Sequence, residues 1–350
     1  GLNGNGSLVL NPPAGGQVVV DGVAFRALVQ RVRQLETDRD EQRQRLDQLV
    51  RVCPVIADTT TITSLGPGPK WSAGVLSNNG LLYGVPHDSS SVLIINPDLD
   101  LADTTTLTDL PDGGRKWSDG ALASNGKIYC VPFDATSVLI INPATNTTDT
   151  TAIAVDSGSE KWRGAVWAPN DKIYGIPASA ASVLIVDPST NTTDTTSIDG
   201  LSGNLKWWGG VLATNGKIYG IPFNAPAILI VNPQTNAVDV ASLSVPSPSG
   251  VNKWLGGALG GNGKIYAMPG EQSQVLVIDP YTNTTSVSAS TGSTDARFVD
   301  AVLAGDGKIY GIPRFSTSVL IVDPSSNSID TTSITGLDGQ FKWGGGVLAN

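Results

Sequence analysis

A Lys-Trp pair returns every 44 to 47 residues along most of this 350-residue chain. The copies are Lys70-Trp71, Lys116-Trp117, Lys161-Trp162, Lys206-Trp207, Lys253-Trp254 and Lys342-Trp343, with Arg297-Phe298 in the same phase. A period of that size, filled with several short β-rich segments, restricts the chain to a repeat architecture whose units bury their apolar faces against one another. Among such architectures the period matches one propeller blade.

One unit shows why. In residues 206–245, Trp207-Trp208-Gly209-Gly210-Val211-Leu212-Ala213 alternates small and apolar residues, as an innermost strand crowded at an axis must. Asn215-Gly216 follows, a strong hairpin signal that predicts a type I′ turn. Lys217–Ile221 is the second strand, closed by Pro222 and carrying a Tyr that recurs at 83, 129, 174, 266 and 310. Ala227–Val231 is a continuous apolar run, suited to a strand covered on both faces. Asn232-Pro233 turns the chain, since Pro fixes φ and the Asx side chain bonds the backbone ahead. A polar, Thr-rich fourth strand, clearest at Asp194–Ile198, suits an outer edge. The expected fold is therefore all-β: a propeller of four-stranded blades over residues 53–350. Six units are complete and a seventh begins, so seven blades are expected, with six blades and overlapping ends the alternative. The chain starts at Gly1 rather than Met and stops in mid-repeat. The expectation is that the natural chain runs further and supplies the two missing middle strands.

The motif order Asn-Gly-Lys-Ile-Tyr, Val-Leu-Ile-Val-Asp-Pro-x-Thr-Asn and a Thr-rich strand resembles the YVTN-type repeat of bacterial and archaeal surface-layer propellers. The likeness covers roughly residues 55–350. It departs at Tyr-Gly-Ile-Pro, where that family has Tyr-Val-Thr-Asn, and at the Lys-Trp pair, which is foreign to it. The resemblance implies a propeller exposed at a cell or particle surface and transfers no catalytic residue.

Residues 1–23 read as a β cap or assembly segment, with strands at Ser7–Leu10 and Gln17–Val20 and a helix starting near Asp21 or Gly22. Residues 24–52 read as a helical stem. Phe25, Leu28, Val32, Leu35, Leu46 and Leu49 fall on one heptad seam, with polar Arg39 and Gln42 at its centre, a short coiled-coil pattern that can fix partner number. The alternative is a helix that packs its stripe on the propeller or a neighbouring subunit. Seven Arg against five Asp and Glu make residues 26–51 basic, whereas the whole chain carries a net charge of −9 and a pI near 4.6. That acidity argues against a nucleic-acid partner. No apolar run approaches the roughly 20 residues of a membrane-spanning helix.

Titratable groups are scarce. His87 is the only His and is expected at the surface. No nucleophile elbow, zinc-ligand spacing or Gly-rich phosphate loop appears, so neither metal nor cofactor is expected. Cys130 replaces a Gly or Ala of the repeat and reads as a buried thiol; Cys53 is free or cross-links chains. The sequons at Asn5, Asn146, Asn191 and Asn283 are candidate glycosylation sites, the last three at one exposed turn. Lys70, Lys116, Lys161, Lys206, Lys253, Arg297 and Lys342 with their aromatic neighbours are expected to circle one mouth of the central channel. Two readings stay open for them: an anionic-sugar site in which Trp stacks on pyranose faces, or Trp wedges between blades with each Lys paired to an Asp. The sequence leads to a non-enzymatic extracellular, cell-surface or particle-surface protein that assembles with itself and with other surface or fibre proteins. The alternative is a carbohydrate-binding adhesin using the Lys-Trp mouth or the loops Phe133-Asp134, Phe223-Asn224 and Arg314-Phe315. A lyase or quinoprotein-type propeller enzyme stands third.

Overall fold

The computed structural model describes residues 57–349 except 63–64, 67, 247–249 and 293–297, together with 19–20, 23–24, 31, 33–35 and 37–38. Residues 1–56 and 57–350 form two separate units. In the first, β1 (Val19–Val20) pairs antiparallel with β2 (Val23–Ala24). A helix therefore does not begin at Asp21 or Gly22; Asp-Gly between two apolar pairs is a hairpin signal, and it prevails. The described helical residues lie between 31 and 38, so a stem-length helix is not shown. Of the seam, Leu35 is described, helical and 52% exposed. Phe25, Leu28, Val32, Leu46 and Leu49 lie outside the described residues, as do Cys53, Asn5 and Arg297.

The second unit contains six four-stranded antiparallel sheets, each a simple meander from the inside outwards. Blade one is β3 (Trp71–Leu76), β4 (Leu82–Pro86), β5 (Leu93–Asn96) and β6 (Leu101–Asp103). Blade two is β7 (Trp117–Leu122), β8 (Ile128–Pro132), β9 (Leu139–Asn142) and β10 (Thr147–Asp149). Blade three is β11 (Trp162–Trp167), β12 (Ile173–Pro177), β13 (Leu184–Asp187) and β14 (Thr192–Asp194). Blade four is β15 (Trp207–Leu212), β16 (Ile218–Pro222), β17 (Leu229–Asn232) and β18 (Ala237–Asp239). Blade five is β19 (Trp254–Leu259), β20 (Ile265–Pro269), β21 (Gln274–Asp279) and β22 (Thr284–Ser290). Blade six is β23 (Phe298–Leu303), β24 (Ile309–Pro313), β25 (Leu320–Asp323) and β26 (Ser328–Asp330). The seventh unit adds no strand among its described residues, so the structure shows six blades and not the seven expected. Its inner segment has no second strand to close a hairpin.

The inner strands pack side by side from β3 round to β23. Between β23 and β3 runs the segment 344–347, where the Gly346 N–H donates to Asp300 Oδ2 at 3.3 Å and Val347 abuts Gly74. The core is a series of inter-blade layers. Tyr174 and Ile176 of blade three, for example, pack on Trp207, Ile218 and Leu229 of blade four.

The hairpin loops are not the type I′ turns expected. Gly80, Gly126, Gly216, Gly263 and Gly307 have positive φ, but Asn79 and its counterparts at 125, 170, 215 and 262 do not. The Gly80 N–H donates to Ser77 O and the Ser77 N–H to Leu81 O, a type I turn closed by a left-handed Gly. The Asn is selected for its side chain instead. Asn125 Nδ2 donates to Tyr129 Oη at 3.0 Å, and that hydroxyl donates to Asn191 Oδ1 of blade three at 3.2 Å. The same relay joins Asn170, Tyr174 and Asn236, and Asn262, Tyr266 and Asn327. Tyr and both Asn columns thus lock blades two to three, three to four and five to six.

Candidate functional site at the axial mouth

The inner strands come closest two residues after each Trp. A Cβ built on Gly164 would lie 2.7 Å from Gly209 Cα, and one on Gly209 would lie 3.3 Å from Gly256 Cα. Gly164 and Gly209 also hold φ of 104° and 82°, which favours Gly. This column reads Ala73, Asp119, Gly164, Gly209, Gly256, Asp300 and Gly345. Two carboxylates therefore enter the axis where small residues are otherwise required.

Asp119 accepts the Gly120 N–H at 2.8 Å and, across the blade boundary, the Ala165 N–H at 3.0 Å. Asp300 accepts the Ala301 N–H at 2.8 Å as well as that of Gly346. Burial pushes the Asp119 carboxyl up to about 6, opposed by those amides and Arg163. Burial, reinforced by the Asp119 charge, pushes Asp300 up to about 7. Arg163, one residue after Trp162, is drawn down to about 9 by burial and by Arg314 and Arg115, yet stays cationic at neutral pH. Groups on blades two, three and six feel one another's charge because they share the axis.

Above this acidic waist the mouth is aromatic and basic. The Arg163 guanidinium lies 3.2 Å from the Trp208 ring centroid and 5.2 Å from that of Phe133. Arg115 covers the same Phe133 at 5.1 Å, and Trp208 packs on Phe223 at 4.7 Å. Arg314 sits over Phe341 at 5.2 Å. Two loop columns hold these groups in place. Arg115, Glu160, Leu205 and Asn252 all take positive φ just before a Lys. Their N–H groups donate to Asp88, Asp134, Ser179 and Asn224 of the preceding blade, respectively. Arg115 further pairs with Asp134 at 3.3 Å and Glu160 at 2.6 Å. One side of the mouth is thus charged, while the other, at Phe223, Leu255 and Val299, is apolar.

His87 belongs to this mouth and is not the surface residue expected. Its side chain is 13% exposed, bonded to Asp88 at 2.6 Å and 6.3 Å from the Phe133 ring. Burial draws its imidazole below the ordinary value despite Asp88, so it is neutral at pH 7. Phe133, Phe223 and Arg314, from loops the sequence offered as an alternative to the Lys-Trp mouth, contribute to this group of side chains. Asp119, Arg163, Trp208 and Asp300 were not foreseen. They stand out only when the repeats are aligned in phase and the two positions after each Trp are compared.

The Lys-Trp pairs lie elsewhere than in an open ring. Trp71, Trp117, Trp162, Trp207 and Trp254 donate their indole N–H to the carbonyls of Ser91, Ser137, Ser182, Ala227 and Gln274 at 2.8–2.9 Å. Lys116, Lys161, Lys206 and Lys253 are 0–6% exposed. Lys70, Lys116, Lys161, Lys206, Lys253 and Lys342 donate to loop carbonyls such as Leu65, Gly113, Gly158, Gly203, Gly250 and Gly339. Among the described residues none of these Lys pairs with the Asp expected. Lys161-Trp162 and Lys206-Trp207 do border two clefts between loops, of about 430 and 290 Å³. Ser, Thr, Asn and Gly line much of both, with no convergent charge. Trp343 lies in the segment between blades six and one. Asn146 and Asn283 are exposed at their turns, whereas Asn191 is half-buried by its bond to Tyr129. Cys130 is a buried thiol pushed up by desolvation. Among the described residues no three His, Cys, Asp or Glu cluster as metal ligands.

No protein-family profile matches the chain, and no curated protein matches it in sequence. The YVTN resemblance is therefore not established, and what is shown is the propeller itself. Among solved structures, virginiamycin B lyase from Staphylococcus aureus aligns with a TM-score of 0.64 at 12% identity, over 77% of this chain and 86% of that one. The extracellular domain of a putative one-component system from Bacteroides thetaiotaomicron aligns at 0.58 and 12%, over 78% and 38%. Hydrazine synthase from Kuenenia stuttgartiensis aligns at 0.55 and 11%, over 76% and 80%. These likenesses show the fold. They also correct the expectation of a non-enzymatic protein: structures of the lyase type recur with TM-scores of 0.61 to 0.64. Scarce titratable groups therefore do not separate this chain from catalytic propellers, and its fold is one that carries lyases.

Proposed function

We propose that this is an extracellular ligand-binding propeller whose axial mouth takes a small molecule bearing a carboxylate or similar anion beside a flat apolar or pyranose face. The observation that carries this is Arg163 stacked between Trp208 and Phe133, with Arg115 and Arg314 around the same opening. Stacked guanidinium groups keep their edge donors for an anion while the rings offer faces to the rest of the ligand. Extracellular placement is supported by the extracellular Bacteroides domains that share the fold. No helix among the described residues is long and apolar enough to cross a membrane. Tryptophan fluorescence titrated with a panel of uronic and sialic acid glycans tests the binding. A saturable change lost in Trp208→Leu and in Arg163→Ala supports it. Binding that survives both variants moves the site to the Lys-Trp clefts.

A second reading is favoured by His87. Its imidazole is neutral, hydrogen-bonded to Asp88 and faces the same mouth, which suits a general base. In one similar structure a variant of virginiamycin B lyase lacking a histidine is described as catalytically inactive, in complex with quinupristin. A lyase acting on a ligand seated on Arg163 would use His87 to remove a proton. Incubation with quinupristin and mass analysis, beside His87→Ala, tests this. Turnover that His87→Ala retains would remove His87 from the role.

A further inference from the structure

Five blade-to-blade interfaces in this molecule are closed, and the sixth is open. On the leading side of blades one to five, Tyr83, Tyr129, Tyr174, Tyr219 and Tyr266 are fully buried, but Tyr310 of blade six is half-exposed. Two positions on, Val85, Val131, Ile176, Ile221 and Met268 are inaccessible, whereas Ile312 is not. Val92, Val138, Val183, Ile228 and Val275 repeat the contrast with Val319. The trailing side of blade one mirrors it. Trp71, Leu82 and Ile95 are partly exposed, while Trp117, Ile128 and Ile141 of blade two are buried. The hydroxyls agree: Tyr129, Tyr174 and Tyr266 donate to Asn on the next blade, but Tyr310 donates to Asp306 of its own hairpin at 2.9 Å.

The gap is bounded on the inside. Gly344 and Gly345 lie against β3, where a Cβ on Gly344 would be 2.9 Å from Ser72 O, and Gly346 lies against Val302 and Ile312. This segment holds the place of an inner strand but pairs with no strand among the described residues, and so presents an edge. The turn at Asp58, which accepts the Thr60 N–H at 2.7 Å, repeats the turn that ends each outer strand, as at Asp103 and Thr105. The inner position and, by its turn motif, the outer one are thus represented, and among the described residues the two middle strands are not.

We infer that the gap between blades six and one is a docking site for a β-hairpin with the middle-strand pattern of this chain's own repeat. The hairpin pairs with the edge of 345–349, as peptides do in strand addition. Its first strand places Ile and Gly against Tyr310 and Ile312 and its own Tyr and Ile against Trp71 and Leu82. Its second strand, an apolar run ending in Asx-Pro, covers Val319 and Ile95. Its turn Asn receives the Tyr310 hydroxyl. The commitment to this occupant rests on continuity: five equivalent interfaces in the same molecule are filled by that pattern.

The test uses the 350-residue protein and a labelled peptide of residues 170–191, from Asn170 through Asn191, the residue that accepts a tyrosine hydroxyl in its own interface. Expected are saturable one-to-one binding, a rise in melting temperature and a blue shift of the fluorescence from Trp71 and Trp343. A scrambled peptide should not bind. Ile312→Asp, at a half-exposed position, should weaken binding at least tenfold, and Val238→Asp on an exposed outer strand should not. A second arm fuses the same 22 residues after Asn350, which removes any dependence on peptide solubility; the fusion should melt higher than the parent and protect Tyr310 from nitration. Equal binding of the scrambled peptide, or a fusion that neither melts higher nor protects Tyr310, overturns the proposal. So does a dimer that Ile312→Asp dissociates, because a second copy would then occupy the gap.

Discussion

Replacing Asp300 with Asn isolates what the axial carboxylates do to the fold. In the native state burial and Asp119 raise this carboxyl from 3.8 to about 7. In the unfolded chain it returns to its ordinary value. The folded state therefore holds a proton between those two values that the unfolded state has released, so Asp300 stabilises least at high pH. At about 1.4 kcal/mol per pH unit the full displacement corresponds to about 4 kcal/mol. As a residue Asp300 is only half-buried, so solvent screening reduces this and about 1–2 kcal/mol is expected. Asn keeps an acceptor for one of the Ala301 and Gly346 amides and loses the other, a cost of about 1 kcal/mol that does not vary with pH. Urea melts from pH 4 to pH 8.5 should show Asp300→Asn gaining on the parent as pH rises, with the change complete by about pH 8. A gap that stays constant or narrows with rising pH would refute the assignment of Asp300 to a desolvated axis. Asp119 is the charge acting on it, and the rise should be smaller in an Asp119→Asn background, where that repulsion is gone.

Three further outcomes test the inter-blade locks. Trp254→Phe removes the indole N–H that reaches Gln274 O at 2.9 Å and opens a cavity at a fully buried position; denaturant melts should show a loss of about 2–4 kcal/mol, and a neutral result would deny the Trp column its packing role. Lys206, whose ammonium is drawn to about 8 by burial, binds fewer protons folded than unfolded between that pH and 10.5. Native stability should therefore rise across that window, and less steeply in Lys206→Met, where the other buried Lys of the column still contribute, as thermal melts at pH 7.5 and 10 would show. Tyr129→Phe should cost about 1 kcal/mol by urea melts through loss of the bond to Asn191 in blade three, and Tyr310→Phe much less, because that hydroxyl bonds the exposed Asp306.

The blade was legible in the sequence because strand, turn and period each leave local marks. Asx-Pro at 232–233, the apolar run at 227–231 and the Tyr at 219 locate three of the four strands without reference to any other blade. The turn type was misread at Asn215-Gly216, since hairpin statistics favour type I′ and nothing local reveals that the Asn amide is committed to Tyr219 at 3.0 Å. His87 was misplaced for a related reason. A lone polar residue in a variable loop looks solvated until its loop is known to fold over the axis beside Phe133. The helix expected from Asp21 onward yields to a two-residue hairpin at Val19–Ala24, where the competing signals are equally short.

The site differs in kind from the scaffold. Residues that build blades repeat because every blade meets the same neighbour, and so periodicity announces them. Residues that face the axis meet different neighbours in each blade, and so they break the period: the column Ser72, Ser118, Arg163, Trp208, Leu255, Val299 and Gly344 runs from hydroxyl through guanidinium and indole to aliphatic side chains and Gly. The Lys-Trp pair, the strongest repeat in the chain, is by the same logic a packing element, with its indole and ammonium satisfied inside the blades. In this propeller the column that recurs points to the core, and the column that fails to recur next to it lines the mouth proposed as a binding site.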